Sequence, residues 1–479
     1  MQPRQVGYLR SYLHQHQFGA GATIVVERPY VDRHYLEEYT AYYARKLSPP
    51  STHTSRLHVF RSEFTLADFL DMLKKSANGE QTIVESDLND QYLGYVTVRP
   101  IPSAPIGRTV LAHYGVKPDR CYDPASTRHV AHLCGLTLQV TSLPFQQQDR
   151  AVGACATTAT WAALSRAARG AGRRAPTPFA VTSAATRHQV NDRDLPADGG
   201  LEIGQLTTAI RELGFSPYTL KASEQSFAAF AFTLKIYLRS GVPAVLYLSD
   251  NHGEYHAVTV AGYKCSADEL LELPGPKEDD PVLKTSALTR LYVHDDRVGP
   301  YVKMCVNPPD TGKGRPMLTR VPVDQDADSK DDLSPGTTIN YAVFPFYPKL
   351  RLSALDLIEE VVALLPLFRL LVGPERREAL RAECWFALNG DYLREAFQLG
   401  VQPPDRLAEL AKRAVLSRYV GVIRWYIGQD ALADIICDTT DISREDPPHG
   451  IIIAAVLFPS NLVNECRKYL SHLPDIIVV

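Results

Sequence analysis

The sequence predicts an α+β protein of three regions, and three observations carry that expectation. At 479 residues the chain exceeds what one hydrophobic core usually holds. Stretches with helical apolar spacing are mixed with Val-, Thr- and Tyr-rich stretches of strand type through the first two regions. The Pro-rich "FPFYPKL" at 344–350 then interrupts the pattern. The regions expected are an N-terminal α+β domain at 1–145, a middle domain at 146–347 and a C-terminal mostly helical mixed domain at 348–479.

In the first region "ATIVVERPYV" reads as a strand and "DRHYLEEYTAYYARKL" as a helix with an aromatic face. Tyr30, Tyr35, Tyr39, Tyr42 and Tyr43 suit core and interface packing better than a ligand box. "TLADFLDMLKK" opens with Thr65 and Asp68, the spacing of a capping box. "YLGYVTVRPI", "RTVLAHY" and "RHVAHLCGLTLQV" read as strands.

The middle region opens on a small-residue helix, "ACATTATWAALSRA". "EIGQLTTAIRELGF" predicts an amphipathic helix stopped by Gly214, and "FAAFAFTLKIYLRSG" another helix. "PAVLYLS", "HAVTVAGY" and "TRLYVHDD" predict strands. Two long loops are expected, at 264–290 and 308–337. In the last region "ALDLIEEVVALLPLFRLL", "RREALRAECWFALNGDYLREAF" and "RLAELAKRAVLSRYV" read as helices, and "LADIICDTT" and "GIIIAAVLF" as strands.

Composition excludes several classes. A net charge of −3 argues against nucleic-acid or anionic-membrane binding. Eight cysteines without a CxxC pair point to a reduced, cytoplasmic protein. The N-terminus has no signal-peptide core, and Asp356, Glu359, Glu360 and Arg369 interrupt the apolar stretch at 352–371. "HGEYH" puts His252 and His256 four apart before a strand, a poor zinc context. "DQDADSKDDL" lacks the glycine and glutamate of a calcium loop, with Ser329 and Pro335 in their places. No cofactor and no metal are expected.

Three segments of the middle region carry chemistry together. Cys155 stands at a helix start, where unsatisfied N–H groups stabilise a thiolate nucleophile. His256 begins a strand that would fix its ring. Asp295 and Asp296 end a strand, where a carboxylate orients an imidazole and stabilises its cation. Alone, each is matched by an ordinary structural use. Their order, Cys then His then Asp, resembles that of the papain-like cysteine peptidases, closest to the bacterial double-glycine-processing type. In that type an "ACA…W…L" helix, a "GVPAVLYL" strand and an "HAVTVAGY" strand recur in this order, and the resemblance covers roughly residues 143–306.

The resemblance implies a papain-like domain with Cys155 as nucleophile, His256 as general base and then acid, Asp295 as the orienting carboxylate and Gln148 as an oxyanion donor. Gln148 lies seven residues before Cys155, where the family usually has six, and the sixth position holds Asp149. The implied reaction is cleavage of a peptide or isopeptide bond in a protein or peptide substrate through a thioester. The same triad would serve a transglutaminase or deamidase-type acyltransferase, and an inactive peptidase fold would serve as a scaffold. The flanking regions are candidates for contact with a protein partner.

Overall fold

The computed structural model describes residues 4–15, 21–115, 120–122, 125–149, 154–187, 200–250, 252–273, 282–309, 315–321, 336–400, 416–440, 451–472 and 477–478. The chain is mixed α+β. Its first elements are α1 (Arg4–His14), β1 (Thr23–Tyr30), α2 (Arg33–Ala41), β2 (Thr54–Phe60), α3 (Leu66–Lys75), α4 (Gln81–Gln91), β3 (Tyr92–Val98) and β4 (Ile106–Leu111). There follow β5 (Arg120–Cys121), β6 (Thr127–Leu133), β7 (Leu136–Ser142), α5 (Cys155–Gly170), α6 (Pro178–Ala185), α7 (Ile203–Glu212) and β8 (Ser216–Lys221). Next are α8 (Phe227–Arg239), β9 (Val245–Ser249), β10 (Tyr255–Leu273), β11 (Leu283–Asp295), β12 (Gly299–Asn307), β13 (Met317–Arg320) and β14 (Thr337–Phe346). The last are α9 (Ala354–Val372), β15 (Leu380–Leu388), α10 (Asn389–Gln398), β16 (Tyr419–Ile427), β17 (Asp430–Asp438), β18 (Ile452–Leu457), a helix at Val463–Leu470 and β19 (Ile477–Val478).

Two compact units emerge. The first comprises residues 1–224, 241–264 and 289–346, and the second 225–240, 265–288 and 347–479. Residues 1–145 therefore share a unit with most of 146–347, whereas α8 belongs with the C-terminal residues.

In the first unit, β1–β2–β3–β4 form an antiparallel sheet. Phe69 of α3 and Val84 and Leu88 of α4 bury against Phe60, Tyr92 and Val110 of that sheet and Leu133 and Leu138 of the β6–β7 hairpin. Helix α3 starts as its sequence dictates: Thr65 Oγ1 accepts from Asp68 N, and the Asp68 carboxylate accepts from Thr65 N. The aromatic face of α2 packs rather than lining a ligand box, with Tyr35 and Tyr43 buried beside Ile101 and Ala104. Strand β4 carries one further pairing that matters for the site. Phe145 bridges Thr109, each N–H donating to the other carbonyl at 2.8 Å.

The larger sheet runs β11–β12–β13–β14–β9–β10–β5, with β8 on β14, and β10 also pairs with β11. Helix α5 of the first unit is buried almost all round, from Ala156 to Ser165. Its run of Ala and Thr allows this, since small side chains let neighbouring backbones approach closely. The span 264–290, expected as a loop, is largely strand: β10 extends to Leu273 and β11 starts at Leu283. Backbone pairing between the two arms supplies the hydrogen bonds that a long loop would take from water. Most of 308–337, including 324–335 of the acidic loop, lies outside the described residues.

The second unit holds the antiparallel β15–β16–β17–β18 sheet, with β19 parallel to β18. This corrects the mostly helical expectation for residues 348–479. "LRAECWFAL" forms β15, not helix, because Trp385, Phe386 and Cys384 are buried and pairing with β16 overrides the helix propensity of the flanking residues. "YVGVIRWYI" forms β16, and residues 401–415 of the third expected helix lie outside the described ones. Strands β17 and β18 and helix α9 form where their sequences indicate.

Candidate active site

Cys155 is the first residue of α5, and Ala154 before it is extended at φ −73° and ψ 163°. Alanine offers no side-chain oxygen, so no side chain caps this helix. An Ala in place of Ser, Thr, Asp or Asn at that position costs about 1 kcal/mol. It also leaves the first N–H groups directed at whatever anion stands in front of the helix. Cys155 is half-buried, whereas Cys384, Cys437 and Cys466 are fully buried and Cys134 is exposed.

His256 enters from β10, whose pairing with β9 sets it opposite Leu248. Three residues on, Thr259 Oγ1 donates to the Ala159 carbonyl at 2.7 Å. That bond joins the strand of His256 to the helix of Cys155 one turn beyond the thiol. The imidazole is 12% exposed, and its Nε2 lies 2.8 Å from Asp295 Oδ1. The other nitrogen, Nδ1, is buried with no hydrogen-bond partner among the described residues. Burial disfavours the charged ring, but the charge and hydrogen bond of Asp295, the nearby Cys155 side chain and the charge of Asp296 outweigh it and push the pKa up to about 10.

Asp295 closes β11, and its Oδ1 also accepts from Arg297 N at 2.9 Å in the turn to β12. Burial opposes its ionisation, but His256 and the Arg297 N–H hold its carboxyl below the usual range. Helix α1, which the sequence reading missed, packs on this turn. Gln5 Nε2 donates to the Asp296 carbonyl at 3.2 Å, and Tyr8 OH to the Pro300 carbonyl at 2.9 Å. Gly299 is required there, since a Cβ would stand 2.2 Å from the Tyr8 ring. The neighbouring His294 has a different fate. Its Nε2–H donates to the Leu143 carbonyl at 2.9 Å and its Nδ1 accepts from Tyr301 N at 3.2 Å, and burial lowers its pKa to about 4.

The glutamine run has three distinct environments. Gln146 Nε2 donates to Glu38 Oε1 at 2.9 Å, and Gln147 Oε1 accepts from Ile106 N at 3.2 Å. Both are buried, and Gln148 is half-buried. Asp149, the residue at the sixth position, turns into the protein, where it accepts from Tyr43 OH and lies 3.7 Å from Arg99 Nη1. Arg99 also donates to Glu38 at 3.2 Å and to the Gln147 carbonyl at 2.9 Å. Burial, with Asp149 acting in the same sense against Arg99, pushes Glu38 up to about 7. This network anchors 146–149 to the four-stranded sheet and to α2. Nothing in the local sequence of Glu38 or Arg99 signals it, because its hydrogen-bonded partners lie 48–108 residues apart in the chain.

No family model matches the chain, and no curated protein matches it. The functional reading therefore rests on the site itself. His256, Asp295 and Asp296 offer ligand atoms within 4.8 Å of one another, the one such group of three among the described residues. The His256–Asp295 hydrogen bond already occupies two of these atoms. His252 lies in the exposed turn before β10 and is not part of the group.

Proposed function

We propose that the first unit is a papain-like cysteine peptidase domain, with Cys155, His256 and Asp295 as its triad. The observation that carries the reading is the division of labour on one ring. His256 gives Nε2 to a buried carboxylate and keeps Nδ1 unpaired, while the Cys155 side chain is near enough to raise its pKa. An imidazole so held is fixed in orientation and favoured in its charged form, as a base that takes a thiol proton must be.

In the mechanism His256 Nδ1 takes the Cys155 proton. The thiolate attacks the substrate carbonyl, and the developing oxyanion is held by the Cys155 N–H at the uncapped end of α5 and by the Gln148 amide. Gln146 donates its amide to Glu38 and Gln147 is buried with its side-chain oxygen on Ile106 N, so the half-buried Gln148 is the glutamine assigned this role. His256 returns its proton to the leaving amine, and water then cleaves the thioester.

The test is mass-spectrometric mapping of new N-termini in a cell extract treated with wild type or Cys155→Ala. Termini that appear only with wild type support the peptidase. Cross-links or deamidated glutamines without new termini would assign a different acyl acceptor or substrate amide. No Cys155-dependent change would favour a scaffold.

A further inference from the structure

Asp296 has no part in the triad, yet its carboxylate sits beside it. The residue is 3% exposed, and neither side-chain oxygen has a hydrogen-bond partner among the described residues. Oδ1 lies 3.7 Å from the same His256 Nε2 that Asp295 holds. Asp296 borders a cavity of about 10 Å³ lined also by Gln146, Thr158, Thr259 and His294, roughly the room one water needs.

The charged and titratable groups around it come from several elements. His256 faces it from β10 and Asp295 from β11, and Arg297 follows in the turn, 3.7 Å from Glu254. His294 is held neutral by burial between Leu143 and Tyr301. Helix α1 contributes the Gln5 amide to the Asp296 carbonyl, and α5 contributes the Thr158 side chain and, through His256, Cys155. Burial pushes the Asp296 carboxyl up to about 7; His256 works against that rise and Asp295 with it. A buried acid without donors destabilises the fold when ionised, and such groups concentrate where their charge is used.

Resting on the peptidase reading, we propose that Asp296 is a positioning residue that acts through His256: once ionised, it sets a second negative charge against the imidazolium and so enlarges the fraction of Cys155 present as thiolate. The Asp296 proton goes to solvent, the Cys155 proton goes to His256 Nδ1, and no other bond changes. The two ionisations are coupled and belong to the cluster rather than to either residue alone.

The experiment is the second-order rate of Cys155 alkylation by iodoacetamide between pH 5 and 9, on the full chain, for wild type and Asp296→Asn. It needs no substrate. The wild-type rate should climb through an added inflection near neutrality. Asp296→Asn should lose that inflection and react about tenfold more slowly at pH 8, the effect of one pKa unit on the thiolate fraction. Its melting temperature at pH 8 should rise at the same time, because the burial cost of ionising this carboxyl, which outweighs the attraction of His256, is gone. A purely structural residue would lower both. An Asp296→Asn profile that overlays wild type overturns the proposal. Should that variant not fold, Asp296→Ser is read in the same way. If wild-type Cys155 is itself no more reactive than Cys134, the peptidase reading fails and takes this one with it; a reactive wild type with an unchanged variant removes the Asp296 role alone.

Discussion

Thr259 Oγ1 donates to the Ala159 carbonyl at 2.7 Å, and this bond sets the strand of His256 against the helix of Cys155. Both residues are fully enclosed or nearly so. The contact lies three residues past the base and four past the nucleophile, so a shift in it moves the two reacting groups apart.

Thr259→Val removes the donor while keeping the shape. The expected stability loss is about 1 kcal/mol, that of one intramolecular hydrogen bond. Cys155 alkylation should slow several-fold, and Thr259→Ser should restore it. Chemical denaturation and iodoacetamide kinetics check the two effects; an unchanged alkylation rate in the valine variant contradicts the positional role.

The His256–Asp295 pair predicts a specific pH dependence of stability. The folded-state pKa of His256, about 10, lies above its ordinary 6.5. Its contribution is therefore present in full below pH 6.5 and is lost as pH rises through 10. Asp295 is depressed, so its contribution is present above the usual carboxylate range and is lost as pH falls below it. The gap in unfolding free energy between wild type and Asp295→Asn should be widest near pH 6 and close towards pH 3 and above pH 10. Urea titrations across that range measure it, and a flat gap contradicts the pairing.

Glu38 works in the other direction. Its carboxyl is raised from 4.5 to about 7, chiefly by burial, so the folded state prefers it protonated. Stability is then lost as pH rises from about 4.5 to 7. Glu38→Gln should gain on wild type by about 3 kcal/mol between pH 4 and pH 8, from the 1.36 kcal/mol carried by each pKa unit. Thermal melts at the two pH values check it. A difference that does not grow with pH would mean that Arg99 holds Glu38 ionised throughout.

In the second unit Lys235 Nζ lies 2.6 Å from Glu383 Oε2 and donates to Thr285 Oγ1 at 2.7 Å and the Ser286 carbonyl at 2.9 Å. Lys235, with the Arg239 charge and the Ser286 hydroxyl, holds Glu383 ionised, with its pKa at about 2 despite burial. Lys235→Met should cost about 3–5 kcal/mol by stranding that charge, while Lys235→Met with Glu383→Leu should recover most of the loss. Denaturant unfolding of the single and double variants checks the difference.

The triad candidates are legible in the sequence because each sits at the end of a regular element. Cys155 precedes a small-residue helix, His256 opens "HAVTVAGY" and Asp295 closes "LYVHD". What surrounds them is not legible. Asp149 and Gln148 differ in surroundings because Tyr43 and Arg99, far away in the chain, claim the first of them. Asp296 looks like turn material beside Asp295, and only enclosure distinguishes it. The strands were missed where tertiary pairing decides the conformation: "LRAECWFAL" has helix formers at its ends but buries Trp385 and Phe386 against neighbours, and "KCSADELLEL" extends β10 because β11 lies alongside it. For the same reason α1 escaped notice, since the hydroxyls of Tyr12 and Tyr8 bond to carbonyls 100 and 292 positions away.

The central claim is that His256 activates Cys155. Its most direct measurement is the rate of iodoacetamide alkylation at each cysteine, resolved by peptide mass spectrometry near pH 7, in wild type and His256→Ala. Cys155 should react about tenfold faster than the exposed Cys134, and His256→Ala should abolish that advantage. Equal rates at Cys155 and Cys134 in the wild type would contradict the account.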